Sequence, residues 1–365
     1  MISKLQLKNF KCFESLSLEM SNLNLFTGIN SMGKSTAIQA MLLLRQAYEM
    51  GAVHDGIYLN GGVVNIGIGQ DLLYKGSEDD EIGISLQTDK RSCEWSYQYT
   101  SKGNFLRANN AKVKQEDLAD INLFAPTFSY LSAERLGPKL TYEKSHHQVY
   151  EKNQVGYKGE FFADYLSERG NDEVKNESLK LEGYSKSLLY QMEKWLSIVT
   201  PGIIIETENS PEVGAVRVLY GTTTGALVEK LNPLNVGFGL SYTAPIILAL
   251  LKTRPGDLVI LENPEAHLHP KGQRMIGEMI AKAAEGGAQI IVETHSDHLL
   301  NGIRLAVRKG SMDSQLIRIN YFLTQSQGKG LMHTKVSPVI LEDGSLSAWP
   351  DGFFDEWDKA IMELF

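Results

Sequence analysis

Hydrophobic and polar residues alternate with a period of two at the start of the chain. The stretch SKLQLKNFKCFESLSLEM predicts two short β-strands, and NLNLFTG predicts a third strand that ends at Gly28. From Lys34 the spacing changes, because the apolar residues of KSTAIQAMLLLRQAYEM recur at helical intervals up to a natural stop at Gly51. A buried strand is therefore expected to lead through a short turn into a helix.

The middle of the chain has a less regular pattern. Residues 57–107 are rich in Gly, Tyr and Ser between short alternating runs, which predicts a β-meander, and FAPTFSYLSAER predicts a further strand that closes near Arg135. Residues 137–182 are strongly polar, so we expect a mobile or partner-facing insertion there. An amphipathic helix, SKSLLYQMEKWLSIV, is followed by two predicted strands near 203–208 and 214–220.

Helical and strand patterns alternate from Asn235 onward. Short apolar runs separated by amphipathic stretches are typical of a parallel sheet whose strands are joined by crossover helices. The chain is therefore predicted to be an α/β protein with a mixed β-rich lobe and a parallel-sheet lobe. The predicted elements are a helix near 241–252, a strand at 257–262, a helix at 271–285, a strand at 288–293, a helix at 296–309 and a strand at 315–323.

Composition is that of a globular protein with a full core. The chain has 365 residues, 42% hydrophobic and 22% charged, with a net charge of −8 and a pI near 5.6. This acidic balance argues against a surface coated with basic residues, so contact with nucleic acid would need a local patch or a dimer groove. Cys12 and Cys93 alone provide neither a disulfide framework nor a zinc site. With no signal-peptide pattern and no apolar run of membrane length, we expect a cytoplasmic protein without membrane contact.

The strongest chemical signal is GINSMGKST, which matches the P-loop pattern G-x-x-x-x-G-K-[ST] between a predicted strand and a predicted helix. The glycines let backbone N–H groups curl around a phosphate, and the helix N-terminus adds positive potential there. Lys34 would contact the β- and γ-phosphates, and the Ser35 hydroxyl would bind Mg²⁺. The alternative is a glycine-containing turn followed by an exposed lysine. The predicted phosphate-binding residues are Gly28, Asn30, Ser31, Gly33, Lys34, Ser35 and Thr36.

Two later strands are predicted to end in groups that act on a phosphate. LVILE ends at Glu262, and the rim where parallel strands end is where such sheets bind ligands. The Glu262 carboxylate would hold Mg²⁺ directly or through water, unless it merely caps the following turn. His295 follows the strand of IIVETHSDHLL, and its imidazole could contact a γ-phosphate or orient the attacking water.

A glycine- and serine-containing loop precedes the predicted helix at 241–252. It would either cap that helix or present backbone N–H groups and a hydroxyl to a phosphate, and the residues alone leave both roles open. The residues concerned are Asn235, Gly237, Gly239 and Ser241.

The order of these motifs resembles the ATP-binding-cassette (ABC) ATPases, in particular their SMC-like and OLD-like (overcoming-lysogenization-defect) branch. The likeness covers nearly the whole chain and includes FSYLSAERLGPKLTYE, LENPEAHLHPKGQ, VETHSDHLLNGIRLAV and WPDGFFDEWDKAIMELF. It implies an ABC-type P-loop ATPase head of the AAA type that uses ATP and Mg²⁺. By resemblance, Gly28–Thr36 is the Walker A loop, Glu262 the Walker B acid, Asn235–Ser241 the signature loop and His295 the switch histidine. Gln70 is a candidate for the glutamine that binds the metal ion.

The resemblance also divides the chain into three segments. Residues 1–136 would be an N-terminal ATPase lobe with the Walker A loop, and residues 137–232 an insertion with a helical and strand region. Residues 233–365 would be a C-terminal ATPase lobe with the signature-like loop, Walker B acid, switch histidine and a tail. OLD-like proteins often add a Toprim nuclease domain, whereas here we expect a stand-alone head without one.

The sequence departs from the family pattern directly after Glu262. The usual catalytic glutamate would stand at position 263, which is Asn, and an amide can position water but cannot accept a proton as a general base. Glu265 could take its place if the turn at Pro264 swings it towards the γ-phosphate. ATP binding is thus expected together with slow hydrolysis, in which Glu262, Asn263, Glu265 and His295 are the candidate catalytic residues.

The resemblance finally implies partners. Two heads of such ATPases close face to face on ATP, so an ATP-sandwich homodimer, or a higher oligomer, is expected. Stand-alone heads occur in bacterial phage-defence and DNA-maintenance systems, which implies a nuclease-like partner effector and nucleic acid reached through the assembly. The alternatives are a scaffold that holds ATP without cycling, a repair ATPase acting on DNA directly, and a transporter ATPase. The acidic charge and the absence of a heptad arm in the sequence weigh against the repair ATPase, and the long insertion against the transporter.

Overall fold

The computed structural model describes residues 1–109, 113–210, 212, 214–224, 227–231, 233–235, 237–327, 330–354 and 356–364. The strands are β1 (Ile2–Phe10), β2 (Phe13–Glu19), β3 (Leu23–Gly28), β4 (Gly56–Tyr58), β5 (Glu81–Thr88), β6 (Ser92–Gln98), β7 (Phe105–Arg107), β8 (Ser129–Leu131), β9 (Tyr142–Glu143), β10 (Ile203–Ser210), β11 (Ala215–Thr224), β12 (Leu227–Leu231), β13 (Leu258–Glu262), β14 (Gln289–Glu293), β15 (Ile317–Gln327) and β16 (Gly330–Val336). The helices are α1 (Lys34–Glu49), α2 (Gln115–Leu118), α3 (Phe162–Arg169), α4 (Leu188–Ser197), α5 (Phe238–Leu251), α6 (Pro270–Glu285), α7 (Asp297–Arg308) and α8 (Glu356–Leu364). Within these ranges no helix is both long and apolar enough to cross a membrane.

The first compact unit contains residues 1–125, 317–339 and 346–365. Its antiparallel sheet has the strand order β2-β1-β5-β6, and β1 and β2 bury their apolar positions in the alternation that the sequence predicts. β3 lies parallel to β15, and β16 pairs with β15 in the antiparallel sense. Every residue of β3 is buried, and α1 packs on β1 and β3. The predicted passage from a buried strand into a helix is confirmed.

The predicted β-meander over residues 57–107 is wrong in its connectivity. β5 and β6 form a hairpin, but β5 also pairs with β1, and β4 pairs with β7 in a separate two-stranded sheet. The register places Leu5 opposite Leu86 and Leu7 opposite Ile84. β1 thus provides the apolar partner for β5 from the start of the chain, and local composition carries no information about such a distant pairing.

The second compact unit contains residues 126–316 and 340–345. In it β13 lies between β14 and β8 and is parallel to both, while α5 packs on β13 and α6, and α6 packs on α7. The alternation predicted from Asn235 onward is confirmed, and the bounds of α5, β13, α6, β14 and α7 agree with the prediction to within three residues. The crossover from β13 through α6 to β14 places the carboxyl ends of both strands at one edge.

The polar segment 137–182 is more tightly packed than its composition predicts. An antiparallel sheet of order β10-β11-β12, with β9 against β11, packs with α3 from this segment. α3 buries Phe162, Tyr165 and Leu166, which share one helical face because they are spaced by three and four residues. α3 is thus a packed part of the second unit, and the expectation of a mobile or partner-facing insertion over residues 137–182 stays a prediction. The division of the chain at 136/137 and 232/233 by motif stays a prediction.

Candidate functional site

From the last residue of β3 to the start of α1, three residues have φ angles in the left-handed backbone region. Gly28 has a φ of 138°, Ser31 of 65° and Gly33 of 104°. A Cβ atom on Gly28 would lie 2.3 Å from the carbonyl oxygen of Phe322, and one on Gly33 would lie 2.4 Å from the Phe13 ring. Both positions therefore need glycine, because neighbouring atoms leave no room for a Cβ and because other residues rarely adopt these φ angles. The loop is a curled turn of the kind that directs backbone N–H groups at an anion.

Lys34 opens α1 at the end of this loop and is 3% exposed. Its Nζ atom donates to the carbonyl oxygens of Gly28 and Ile29, each at 2.8 Å. These hydrogen bonds hold the ammonium group at the base of the turn, where phosphate oxygens would replace the carbonyl oxygens as acceptors. Of the other predicted loop residues, Asn30, Ser31 and Ser35 are exposed, and Thr36 is buried.

A cavity of about 1120 Å³ lies beside this turn, within the first unit. Sites for drug-sized ligands span about 300–1,000 Å³, so the space is sufficient for a nucleoside triphosphate. Gln70, the candidate metal-binding glutamine, is exposed and lines this cavity, and its role as a metal ligand stays a prediction. Other side chains that line the cavity are Lys11, Cys12, Tyr74, Lys75, Tyr99 and His333.

Lys11 and His333 line this cavity although neither belongs to a predicted motif. Lys11 Nζ donates to Gln39 Oε1 at 2.8 Å, and burial lowers the pKa of Lys11. His333 belongs to β16, its ring stands edge-on to Phe13, and its Nδ1 lies 3.4 Å from the carbonyl oxygen of Met32. The sequence signal for Lys11 is its position as a basic residue in the polar turn between two predicted strands. His333 follows Met32 by 301 positions, and no local pattern connects them.

Glu262 ends β13, as the sequence predicts. Its Oε2 atom accepts a hydrogen bond from the Ala133 N–H at 3.1 Å. Burial raises the pKa of Glu262, while the contacts with Ala133 and Tyr130 and the charge of Arg135 lower it. Burial, together with Glu262, raises the pKa of Tyr130 as well. A bound cation would stabilise this positioned, partly desolvated carboxylate, because a nearby positive charge favours the ionised form.

Arg135 positions the backbone around Glu262. Its Nη1 atom donates to the carbonyl oxygens of Ser132 and Glu262, at 2.8 and 2.7 Å, and its Nη2 atom donates to that of Asn263 at 2.7 Å. The guanidinium also lies over the Tyr242 ring, 5.6 Å from its centroid, and burial lowers the pKa of Arg135 to about 10. In the sequence Arg135 marks only the end of a predicted strand. The available signal was its place just after a strand, since one planar fork can bind several carbonyl oxygens.

Asn263 and Glu265 occupy a tight turn after β13. Asn263 has a φ of 43°, a conformation that Asn tolerates better than Glu, and its N–H donates to the Glu293 carbonyl oxygen at 2.8 Å. Glu265 Oε1 accepts from the N–H of His295 at 2.9 Å, and burial raises the pKa of Glu265. The turn at Pro264 thus brings Glu265 beside His295, whose side chain is exposed. A carboxyl group with a raised pKa is the kind that serves as a general base near neutral pH.

Glu293 is a further carboxylate that the sequence analysis did not assign. It pairs with Glu262 in the parallel register of β13 and β14, and its side chain is buried. Its charge also contributes to the raised pKa of Tyr130. The stretch IIVETHSDHLL was interpreted only for His295, although the strand ends in an acid just as the β13 strand does. The second unit thus gathers three carboxylates near the ends of two neighbouring strands.

The glycine loop at the start of α5 is accessible to solvent, whereas the Ser241 side chain is buried. α5 begins at Phe238 with Gly237 as its N-cap, three residues earlier than predicted. Asn235 and Gly237 are exposed and Gly239 is half-buried, whereas Ser241 is 3% exposed. Its Oγ atom makes no hydrogen bond within the described residues. The expectation that Ser241 stands at the helix mouth is wrong, because the earlier helix start places it inside the first turns on a buried face.

Replacing Ser241 by Ala is expected to leave ATPase activity within about twofold and to keep or slightly raise the melting temperature. A buried hydroxyl without a partner destabilises by about 1–3 kcal/mol, and alanine removes it. The matched control is Thr243→Val, because the Thr243 hydroxyl donates to the Gly239 carbonyl oxygen at 2.5 Å and its loss should lower the melting temperature. A collapse of activity in folded Ser241→Ala would show instead that this hydroxyl contacts the nucleotide.

Family models match most of the chain. The model described as "AAA ATPase domain" matches residues 1–199, which is more than half of the chain. The model described as "AAA domain, putative AbiEii toxin, Type IV TA system" matches residues 160–301, and "Protein of unknown function (DUF3696)" matches residues 313–364. A comparison with curated proteins found no match.

Solved structures of SMC heads share the fold. An SMC head bound to the C-winged helix domain of ScpA has a TM-score of 0.55 and 15% identity, over 92% of this chain and 97% of that chain. An Smc head with an extended coiled coil, bound to the C-terminal domain of ScpA derived from Pyrococcus furiosus, has a TM-score of 0.52 and 13% identity, over 100% of this chain and 99% of that chain. At these identities the likeness establishes the fold alone.

The chain has the fold of an ABC-type P-loop ATPase head, with parallel and antiparallel sheets, so the predicted fold class is confirmed. The chain belongs to the AAA ATPase domain family, which makes it an ATPase of the P-loop class. The narrower OLD-like assignment stays a prediction.

Proposed function

We propose that this chain binds ATP with Mg²⁺, hydrolyses it slowly and closes on it as an ATP-sandwich homodimer. In this proposal the closed dimer controls a nuclease-like effector protein in bacterial defence against phage or in DNA maintenance. The observation that carries the proposal is the cradle of Gly28, Gly33 and Lys34, in which Cβ atoms are excluded and an ammonium group lies at the base. That combination fits a triphosphate better than a neutral ligand.

The proposed Mg²⁺ ligands are Ser35, Gln70 and Glu262. A bound Mg²⁺ ion would neutralise charge on the β- and γ-phosphates. The three side chains offer a hydroxyl, an amide and a carboxylate oxygen, which are the hard donors that Mg²⁺ prefers. Among the described residues no group of three or more His, Cys, Asp or Glu side chains could hold a metal ion.

For hydrolysis we assign the general base to Glu265. Its carboxylate is anchored by the His295 N–H, and its raised pKa would let it accept a proton from water. The exposed imidazole of His295 would contact the γ-phosphate, and the Asn263 amide would orient water without taking its proton. Arg135 would hold this turn in place through two carbonyl oxygens. We expect slow turnover because the proposed base, Glu265, lies beyond the turn at Pro264, whereas the usual base stands directly after the Walker B acid.

Dimer closure would use the open N-terminus of α5. The backbone N–H groups at Gly237 and Gly239 begin a helix of 14 residues, whose dipole favours a negative group there. The loop lies close to the turn after β13, since a Cβ on Gly239 would be 2.8 Å from the His267 carbonyl oxygen. In the ATP-sandwich arrangement this loop meets the γ-phosphate held by the second head. Asn235 would assist from the exposed side of the loop.

An effector partner is supported by the comparisons only indirectly. The titles of the two SMC-head structures describe heads bound to a domain of another protein, ScpA. The description of one matching family names a toxin and a TA system, which is compatible with a defence role. Nucleic acid would be contacted through the assembly, because the isolated chain carries a net charge of −8.

Replacing Gly237 by Arg is expected to abolish ATP-dependent dimerisation while the monomer still folds and binds ATP. Among the described residues no atom lies within 4 Å of a Cβ at this position, and its φ is −55°, so an arginine fits the monomer but would obstruct a second head. Gly62→Arg is the matched control, since a Cβ there also meets nothing within 4 Å in the described part of the chain. Light scattering with ATP and Mg²⁺ should show dimers for the native protein and Gly62→Arg only. Dimers of unchanged stability in Gly237→Arg would contradict the proposed interface.

A scaffold that holds ATP without hydrolysing it is the second candidate, and Asn263 favours it. The left-handed backbone at this position gives the amide a structural reason to be there that is independent of catalysis. Steady-state phosphate release from the native protein separates the two candidates, because a scaffold would release none above the background of folded Lys34→Ala protein.

A further inference from the structure

A second polar cavity lies at the C-terminal end of α5, within the second unit. Its volume is about 260 Å³. Four basic side chains line it together with two acidic ones, Asp172 and Glu173, so its lining is net positive on a chain whose net charge is −8. The basic residues are Arg169, Lys175, Lys252 and Arg254.

Lys252 is the buried cation of this cavity. It is 7% exposed, and its Nζ atom donates to Ser129 Oγ at 2.7 Å and to the Asn153 carbonyl oxygen at 2.8 Å. Both acceptors are neutral, and Lys252 forms no ion pair with any described residue. Burial is the main cause that lowers the pKa of Lys252 to about 8; the charges of Arg169 and Arg254 act in the same direction, and the charge of Asp257 opposes them. A buried ammonium group without a carboxylate partner is unfavourable unless an anion approaches it.

The other cations leave charge available at the mouth of the cavity. Arg254 and Lys175 are exposed, and neither forms an ion pair within the described part of the chain. Arg169 binds Asp172 at 2.8 Å, and Glu173 is engaged by Lys180 at 3.0 Å, so each acidic side chain already has a cationic partner. Three cations, Lys252, Arg254 and Lys175, are thus left to face the same small volume.

We propose that this cavity binds the phosphate group of a small phosphorylated molecule. Lys252 would contact the phosphate from the inside, and Arg254 and Lys175 would close on it from the surface. A phosphate suits the site better than a carboxylate, because it carries up to two negative charges and enough oxygens for several donors. The volume admits a phosphate and a small sugar-sized group.

The proposed site is separate from the nucleotide site. Lys252 is the C-cap of α5, and Gly237 is its N-cap, so the helix of 14 residues places them about 20 Å apart at 1.5 Å per residue. Ser129, which accepts a hydrogen bond from Lys252, lies on β8, the strand paired with β13. A ligand bound to Lys252 would therefore be connected, through Ser129 and β8, to β13, the strand that carries Glu262.

The test uses the full chain carrying Lys34→Ala, which removes phosphate binding at the P-loop. Titration calorimetry measures the affinity for inorganic phosphate and for ribose 5-phosphate. Adding Lys175→Ala and Arg254→Ala is expected to weaken binding by about tenfold or more, since two charge-assisted contacts are lost. Both side chains are exposed, so folding should be unaffected. Arg308→Ala removes an exposed cation outside the cavity and should leave the affinity unchanged.

The two ligands identify the source of the phosphate. Tighter binding of ribose 5-phosphate supports a phosphorylated small molecule, and equal binding supports free phosphate at the same site. The proposal is overturned if neither ligand binds, or if the Lys175 and Arg254 substitutions weaken binding no more than Arg308→Ala does. Because the host protein already lacks Lys34, neither result depends on ATP binding or on dimer closure.

Discussion

Lys34→Ala should weaken ATP binding by about a hundredfold or more. A charge-assisted hydrogen bond contributes about 1.5–3 kcal/mol, and the substitution removes two such contacts with phosphate. Since about 1.4 kcal/mol corresponds to a tenfold change in the dissociation constant, the two losses together give this magnitude. The Lys34 ammonium lies at the base of the turn, bonded to the carbonyl oxygens of Gly28 and Ile29. Alanine leaves no cation at that position. Titration with a fluorescent ATP analogue measures the dissociation constant directly.

The control for this substitution is Lys90→Ala in the same unit. The Lys90 side chain is 77% exposed and should not alter ATP affinity. Because Lys34 also holds the loop through its two hydrogen bonds, thermal unfolding must show that Lys34→Ala remains folded. A folded Lys34→Ala protein with native ATP affinity would rule out the P-loop as the nucleotide site.

Glu265→Gln should lower steady-state ATP hydrolysis by about 10²- to 10⁴-fold, the range that general-base catalysis contributes. The amide keeps the size of the side chain and can still accept from the His295 N–H, but it cannot take a proton from water. ATP affinity should be retained. With hydrolysis blocked, light scattering in ATP and Mg²⁺ should show a dimer that persists after native protein has returned to monomer.

Glu342→Gln makes the same chemical change at an exposed site of the second unit and should leave turnover unaffected. If Glu265→Gln hydrolyses ATP at the native rate, the general base has been assigned to the wrong residue. If the native protein itself releases no phosphate, Asn263 indicates a scaffold, and Glu265 has only a structural role in anchoring the His295 backbone.

Local patterns were sufficient where function needs a short contiguous motif. The residues from Gly28 to Thr36 were identifiable because a phosphate-binding turn requires glycines and a lysine at fixed spacing. Glu262 and His295 were identifiable because each follows an apolar strand, and parallel strands end at the same edge. These side chains lie where the sequence places them, and their roles as metal ligand and switch residue stay predictions.

Other parts of the site depend on long-range packing. Arg135 binds the carbonyl oxygens of Glu262 and Asn263, which follow it by more than a hundred positions, and that contact exists only once β8 pairs with β13. His333 reaches the P-loop cavity because β16 pairs with β15. No periodicity in either segment points to these partners.

The sequence by itself determined the class of chemistry: a P-loop, an acid at the end of a buried strand, and an α/β alternation that requires a parallel sheet. These features are local, because backbone φ angles, glycine spacing and apolar periodicity act over a few residues. Only the tertiary structure decided that Ser241 is buried, that the Glu265 carboxylate accepts a hydrogen bond from the His295 N–H, and that the buried Lys252 ammonium donates to neutral oxygens. Burial and charge pairing arise between segments distant in sequence, so they become defined only when those segments pack together.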